Sequence, residues 1–398
     1  MTLMNRNILI SGASVAGPSV AFWLNRYGFR TTIVEQAPSL RGGGQAVDFR
    51  GEQLDVIRRM GLEDAMRARE TMMGEQVVVD GRGRTRATLP SVIFSGELEL
   101  LRGELAQVLH EATRDETEYL FGDRIAALSE TADGVDVTFE SGLRRTFDLV
   151  IGADGLNSGV RRLAFGDAVR RRDLGLYAAG FSMPNVLGLQ RQGRIYSEPG
   201  RTIYTVSARD SAAGMVYLIF RADEVQLDRE DIAAQKEFVA TAMAGMGWRV
   251  PEILDQLSTA DDLFFHRLSQ VDMQQYTRGR VALVGDAGWG AGIGGGGTGM
   301  AAVGAYVLAG ELAEAGGDHT AAFPRYEREM RPFATAGLKQ GRGATNGMAP
   351  PTTSAIWARN LMFRVLSSRL LSGLWQRQIA GGSRSKTVRD YRLSASTG

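Results

Sequence analysis

The chain contains no cysteine and only three histidines, His110, His266 and His319, spread through 398 residues. The first absence excludes disulfides, thiolate metal ligands, a redox dithiol and a cysteine nucleophile. The second argues against a histidine-based metal site. An excess of either charge is also missing: 46 Lys and Arg against 45 Asp and Glu leave a formal net charge of +1. Bulk electrostatics therefore attracts neither nucleic acid nor an anionic membrane. No apolar run approaches the roughly 20 residues that span a bilayer. The N-terminal residues enter a strand pattern directly, without the architecture of a signal peptide. The expected setting is the cytoplasm, with no nucleic-acid partner and no stable membrane insertion.

Glycine, in contrast, is abundant, with 50 residues, many of them in a few short clusters that mark close backbone approaches. Apolar content of 44% and charged content of 23% suit a soluble globular chain, and the length allows two or three domains.

Residues 7–10 are an apolar run ending in a glycine turn, residues 18–27 read as a helix stopped by Gly28, and residues 31–34 are β-branched and close on Glu35. This order is a βαβ unit with a right-handed crossover. Its turn, Gly12-Ala13-Ser14-Val15-Ala16-Gly17, follows G-x-G-x-x-G with Ser14 in place of the middle glycine. The first glycine permits the tight turn and the last lets helix and strand pack closely, so free N–H groups at the helix start face a pyrophosphate. Glu35 stands where a carboxylate accepts hydrogen bonds from ribose hydroxyls. The plain alternative is a strand–helix turn with a solvated Glu35.

A second strand pattern, residues 147–151, delivers Gly152-Ala153-Asp154-Gly155, with Arg161 seven residues after the acid. Read alone, this is a turn and a surface charge. A third, residues 280–284, ends in Gly285-Asp286-Ala287, and six glycines follow among residues 292 to 299. Ordering so many glycines is entropically expensive. A buried strand before the loop and an apolar helix after it, expected from about residue 300, favour a backbone pressed against a planar ligand over a flexible linker. Between the second and third pieces, residues 177–182, 203–208 and 215–220 read as strands and residues 234–246 as a helix. Residues 76–80 and 85–89 read as a hairpin about Gly81-Arg82-Gly83.

The three glycine pieces, in this order and spacing, resemble the single-component FAD-dependent monooxygenases of the aromatic-hydroxylase type over essentially the whole chain. The resemblance implies an α/β fold: a Rossmann-like FAD-binding domain (1–75, 96–172 and 267–345) interleaved with a β-sheet substrate domain (76–95 and 173–266), then a C-terminal helical segment (346–398). It implies that Gly12, Ser14, Val15, Ala16, Gly17, Glu35 and Gln36 hold the ADP half of FAD. Asp154 and Gly155 then lie near the pyrophosphate, and Arg102, with Arg41, approaches the flavin phosphate or ribityl oxygens. Gly285 and Asp286 meet the ribityl chain, and Gly296, Gly297, Thr298 and Gly299 lie against the ring. The implied activity is NADPH- or NADH-dependent hydroxylation of an aromatic or polyketide-like small molecule by oxygen, through a flavin hydroperoxide, in a monomer or homodimer.

The loop after Asp286 departs from the family pattern: Trp289 replaces the usual His or Tyr, and no proline occurs before Thr298. That departure keeps open a reductase, dehydrogenase or cyclase that retains FAD without oxygen insertion. Trp289 is expected to pack in the core and His266 to be structural. Tyr196, Tyr204, Tyr217 and Phe220 are candidate pocket aromatics. Residues 356–375 are expected to dock on the FAD domain rather than lie on a membrane.

Overall fold

The computed structural model describes residues 3–40, 42, 44–91, 95–166, 169–207, 212–228, 230–294, 296–367 and 388–391. Arg41 lies outside the described residues, as does the part of the 356–375 stretch beyond residue 367. Two sheets organise the molecule. The first has six strands in the order Thr277–Arg278, Val281–Leu283, Leu149–Gly152, Asn7–Ser11, Arg30–Glu35 and Thr117–Phe121. All neighbours are parallel except the two-residue edge strand Thr277–Arg278. Its central strands are buried on both faces, which is why they read as apolar runs rather than alternating patterns. The helix Ala16–Arg26 packs on this sheet and against Gly297–Glu314, which is buried nearly all round and runs through the centre of the main core.

The second sheet has seven strands in the order Phe264–Asp272, Arg170–Pro184, Ala213–Arg221, Arg201–Val206, Gly193–Glu198, Gln76–Val79 and Thr85–Leu89. The hairpin at its far edge, Gln76–Val79 with Thr85–Leu89, is the one that the Gly81-Arg82-Gly83 spacing predicts. One face packs on the helices Ile232–Met243 and Val250–Thr259, enclosing Tyr177, Phe181, Tyr196 and Phe220. The other face turns toward the parallel sheet and carries Tyr204, Tyr217, Phe264 and His266, in register across neighbouring strands. A two-stranded ribbon, Ala46–Phe49 with Leu98–Leu101, reaches this face through a hydrogen bond from the Ala46 N–H to the Tyr217 hydroxyl at 3.2 Å.

The C-terminal helix Thr353–Leu366 corrects one expectation. It docks on the edge of the seven-stranded sheet, where Phe363 joins Val78, Ala87, Leu89 and Ile195, and not on the parallel-sheet layer. Residues 388–391 lie against that layer: Tyr391 fills the space left by Gly310 and donates to the buried Glu311 carboxylate at 2.8 Å. Among the described residues no helix is long and apolar enough to cross a membrane.

Candidate active site

The first strand turns at Gly12, whose φ of +106° is open to glycine and strained for other residues. A Cβ there would sit 2.6 Å from the Ala153 carbonyl oxygen, and one at Gly17 would overlap the carbonyl of Gly12 itself. The two glycines thus bring the first strand, its helix and the Asp154 loop into backbone contact. Val15 precedes the helix, Ala16 opens it, and both are buried. Glu35 closes the turn from outside, its two carboxylate oxygens accepting from Ala13 N–H at 2.9 Å and Ala37 N–H at 3.0 Å. Gln36, beside it, is exposed.

Ser14 does not stand alone at the position of the missing glycine. Its hydroxyl accepts from Arg102 Nε at 3.1 Å, and Arg102 opens the helix Arg102–Glu111. A groove of about 480 Å³ runs alongside, lined by Leu40, Gly42, Gly103, Gln107, His110 and Phe121 among others.

In the second piece, Asp154 Oδ2 caps the helix Gly159–Phe165 by accepting from Gly159 N–H at 2.7 Å and Val160 N–H at 3.1 Å, while Oδ1 is buried without a protein partner. Gly155 supplies a positive φ of +77°. Arg161, which the sequence alone offers as a surface charge, is buried. Its guanidinium donates to the Leu156 carbonyl at 2.6 Å and to the Ala287 carbonyl at 2.8 Å, tying the second glycine piece to the third. Burial pushes its pKa down, and Asp154 is the first of the groups that hold it up.

The third piece ends the strand Val281–Leu283 and turns at Gly285, with φ +66°. Asp286 keeps accessible surface although protein surrounds it, because its carboxylate opens onto a cleft. Burial raises its pKa against the pull of Arg102 and Arg161. Trp289 packs in the core as expected, its ring centroid 5.0 Å from that of Tyr276, over the space left by Gly304.

The helix after the glycine loop begins at Gly297, earlier than the sequence pattern suggests, with Gly296 in the left-handed conformation (φ +67°) as its cap. Gly297, Thr298 and Gly299 form its first turn without a side-chain cap or an acidic residue. Glycines that are poor helix formers are used here because their missing side chains leave room: a Cβ at Gly297 would lie 3.2 Å from Asp286 Oδ1, and one at Gly299 would overlap the amide of Gln53. The sequence gives no sign of Gln53, since its role depends on the helix Glu52–Met60 packing beside this turn.

His266 also departs from expectation. It makes no side-chain hydrogen bond among the described residues. Its imidazole has accessible surface yet is enclosed by protein, so it too faces the cleft, with its ring 5.8 Å from that of Phe264. Burial, helped by Arg102, pushes its pKa down to about 4 from an ordinary 6.5. Arg102 is near enough to influence both His266 and Asp286 and is hydrogen-bonded to Ser14, so these four residues share one neighbourhood, in which Arg102, His266 and Asp286 are exposed. Of the four candidate aromatics, the strand alternation sends Tyr204 and Tyr217 to the cleft side and Tyr196 and Phe220 to the helix-packed core.

The His266 shift has a stability consequence. Between pH 6.5 and about 4 the unfolded chain binds a proton that the folded one refuses, so stability present above pH 6.5 is lost as the pH falls through this window. His266→Asn is expected to lose less melting temperature between pH 7 and pH 5 than the unsubstituted protein. Parallel losses in the two melting series would contradict this.

A sequence family described as FAD binding domain matches residues 5–340. A flavin-dependent monooxygenase of Legionella longbeachae is 36% identical over 343 residues, covering 85% of this chain and 88% of its own. The FAD-dependent monooxygenase asL4 of Sarocladium schorii is 34% identical over 324 residues, covering 77% and 75%. Among solved structures, the tetracycline destructase Tet(51) superposes with a TM-score of 0.85 at 32% identity, covering 98% of this chain and 100% of its own.

Proposed function

Since the chain belongs to the FAD-dependent monooxygenases of the aromatic-hydroxylase type, we propose that it uses NADPH or NADH and oxygen to hydroxylate a planar, polyketide-like small molecule in the cleft between the glycine loop and the seven-stranded sheet. The observation that carries this reading is the convergence of Ser14, Arg102, Asp286 and His266 in one neighbourhood open to solvent. The likeness to a tetracycline destructase over the full chain supports the substrate class.

FAD fits this cleft. Gly12 and Gly17 leave no side chain over the turn, Asp154 Oδ1 is buried without a partner, and the first turn of the helix Gly297–Glu314 carries no capping group. In this reading Glu35 holds the ribose, with Gln36 and the groove beside Gly103 and Gln107 at the adenosine end. The N–H groups following Gly12, with Ser14 and Arg102, face the phosphates. Asp286 takes ribityl hydroxyls. Bound there, FAD supplies hydride acceptance from the nicotinamide and activation of oxygen.

The rest of the task falls to the chain. The uncapped N–H groups of Gly297, Thr298 and Gly299, at the positive end of an 18-residue helix, stabilise negative charge on a ring lying against them. Tyr204, Tyr217 and Phe264 make an aromatic floor that keeps water from the reacting atoms. Neutral His266 is able to accept a hydrogen bond from a substrate hydroxyl. Trp289, turned into the core, leaves the cleft side of the altered loop clear.

Anaerobic mixing of the FAD-loaded protein with NADPH, and separately with NADH, tests the first half. Complete bleaching of the flavin absorbance by at least one of them is expected, faster when a planar ligand is present. Failure of both to bleach it would remove the nicotinamide from this proposal.

A further inference from the structure

One deeply buried cation has no anionic partner among the described residues. Arg359, on the helix Thr353–Leu366, turns inward against the seven-stranded sheet and is 6% exposed. Its guanidinium donates to the Gly347 carbonyl at 3.0 Å, to Ser197 Oγ at 2.9 Å and, less closely, to Asn360 Oδ1 at 3.3 Å. Every acceptor is neutral, and among the described residues no carboxylate comes within ion-pair distance. The contrast with Arg161 is instructive, because that buried arginine has Asp154 and Asp286 in its field. Among the described residues, the hydroxyl of Tyr204 opposes the effect of burial on Arg359, whose guanidinium also lies over the Phe363 ring, 5.6 Å from its centroid. Burying a charge without a counter-charge is costly, and an anion seated beside it would offset that cost.

Tyr204 is the second, independent observation. Its hydroxyl makes no hydrogen bond among the described residues. The residue keeps some accessible surface although protein surrounds it. It stands directly across from Tyr217 on the cleft-facing side of the sheet. Ile293, from the glycine loop, packs on the same apolar cluster as Tyr204. Tyr204 therefore lies on the aromatic floor, at the end away from His266, and Phe363, from the helix that carries Arg359, packs on a second small cluster with it.

We propose that Arg359 and Tyr204 form an oxyanion subsite that receives an ionised acidic substituent on a planar ring and so selects acidic aromatic substrates over neutral ones. The guanidinium supplies charge and a remaining N–H, the phenol a second donor, and the flat floor orients the ring. This rests on the reading of that face as the substrate floor, but not on turnover, so binding tests it separately.

The experiment is calorimetric titration of the FAD-loaded protein with salicylate, its neutral isostere salicylamide, and inorganic phosphate. Salicylate is expected to bind about tenfold or more tightly than salicylamide, the size of one charge-assisted hydrogen bond. Arg359→Gln should reduce that preference to about twofold with FAD content unchanged, and Tyr204→Phe, which keeps the ring and its packing, to about threefold. Should Arg359→Gln fail to fold, Tyr204→Phe decides: an undiminished preference overturns the subsite. Equal binding of salicylate and salicylamide, no binding of salicylate, or a preference that survives Arg359→Gln overturns it as well. Displacement of salicylate by phosphate at similar concentration would overturn the ring-borne assignment. Nicotinamide-driven bleaching measured on the same preparations shows whether the catalytic reading fails or stands independently of the subsite.

Discussion

Replacing Gly17 by alanine is expected to empty the protein of FAD and to destabilise it by about 3 kcal/mol or more. The Cβ introduced there would overlap the carbonyl of Gly12, which is backbone and has no rotamer to escape into. Overpacking of this kind typically costs ~1–3 kcal/mol even where neighbours yield. Here the first strand and the helix Ala16–Arg26 must separate instead. Gly12 is itself fixed by its positive φ and its approach to Ala153, so the displacement passes into the Asp154 loop. The N–H groups that this account assigns to the phosphates move with it, and a loss of about 1.4 kcal/mol per tenfold makes a drop in FAD affinity of at least tenfold the minimum expected. The flavin-to-protein absorbance ratio and a thermal melt read the two effects. Gly343→Ala is the control: it lies in the helix His319–Met348 with open space around it, and is expected to be neutral or slightly stabilising. Gly17→Ala with full FAD content would show that the close approach is not needed.

Arg161→Leu is expected to lower stability by about 2–4 kcal/mol and to disorder the cleft from behind. Leucine fills much of the volume but leaves the carbonyls of Leu156 and Ala287 without their charged donor. Each buried acceptor left unsatisfied costs roughly 1–3 kcal/mol, partly offset because a desolvated guanidinium disappears. Since Ala287 directly follows Asp286, the loss also releases the carboxylate that faces the cleft. FAD should bind more weakly, while the far end of the seven-stranded sheet stays intact. Chemical denaturation, together with FAD titration followed by flavin fluorescence, distinguishes this from a surface role, in which both quantities would stay unchanged.

These two residues show what is legible in a sequence. Gly12, Gly17 and Glu35 announce themselves because a turn, a helix start and the next strand end are local, and only a few residue types satisfy them. The parallel strands are equally plain, since burial on both faces writes itself as an unbroken apolar run. Arg161 gives no such signal. Its burial depends on Ala287, 126 residues away, and an arginine three residues past a serine cap reads equally well as solvated. The same limit divides the strand aromatics: alternation separates Tyr204 and Tyr217 from Tyr196 and Phe220, but not which face meets the cleft. His266 reads as structural because its lack of partners is a property of the assembled sheet. The helix at Gly297 starts earlier than its composition suggests because Gly297 and Gly299, poor helix formers in isolation, leave room there for Asp286 and Gln53. Arg359 sits in a stretch whose alternating arginines and apolar residues resemble a surface helix, until Ser197 and Gly347 are brought beneath it.

We propose that this cleft transfers an oxygen atom from dioxygen to a planar, polyketide-like substrate. The most direct test is mass spectrometry of tetracycline and related polycyclic phenols after incubation with the FAD-loaded protein, NADPH and isotopically labelled oxygen gas. The expected product carries one labelled oxygen atom and forms only when protein, FAD and NADPH are all present. Consumption of NADPH with all electrons recovered as hydrogen peroxide, and no label in any compound of the panel, would contradict it.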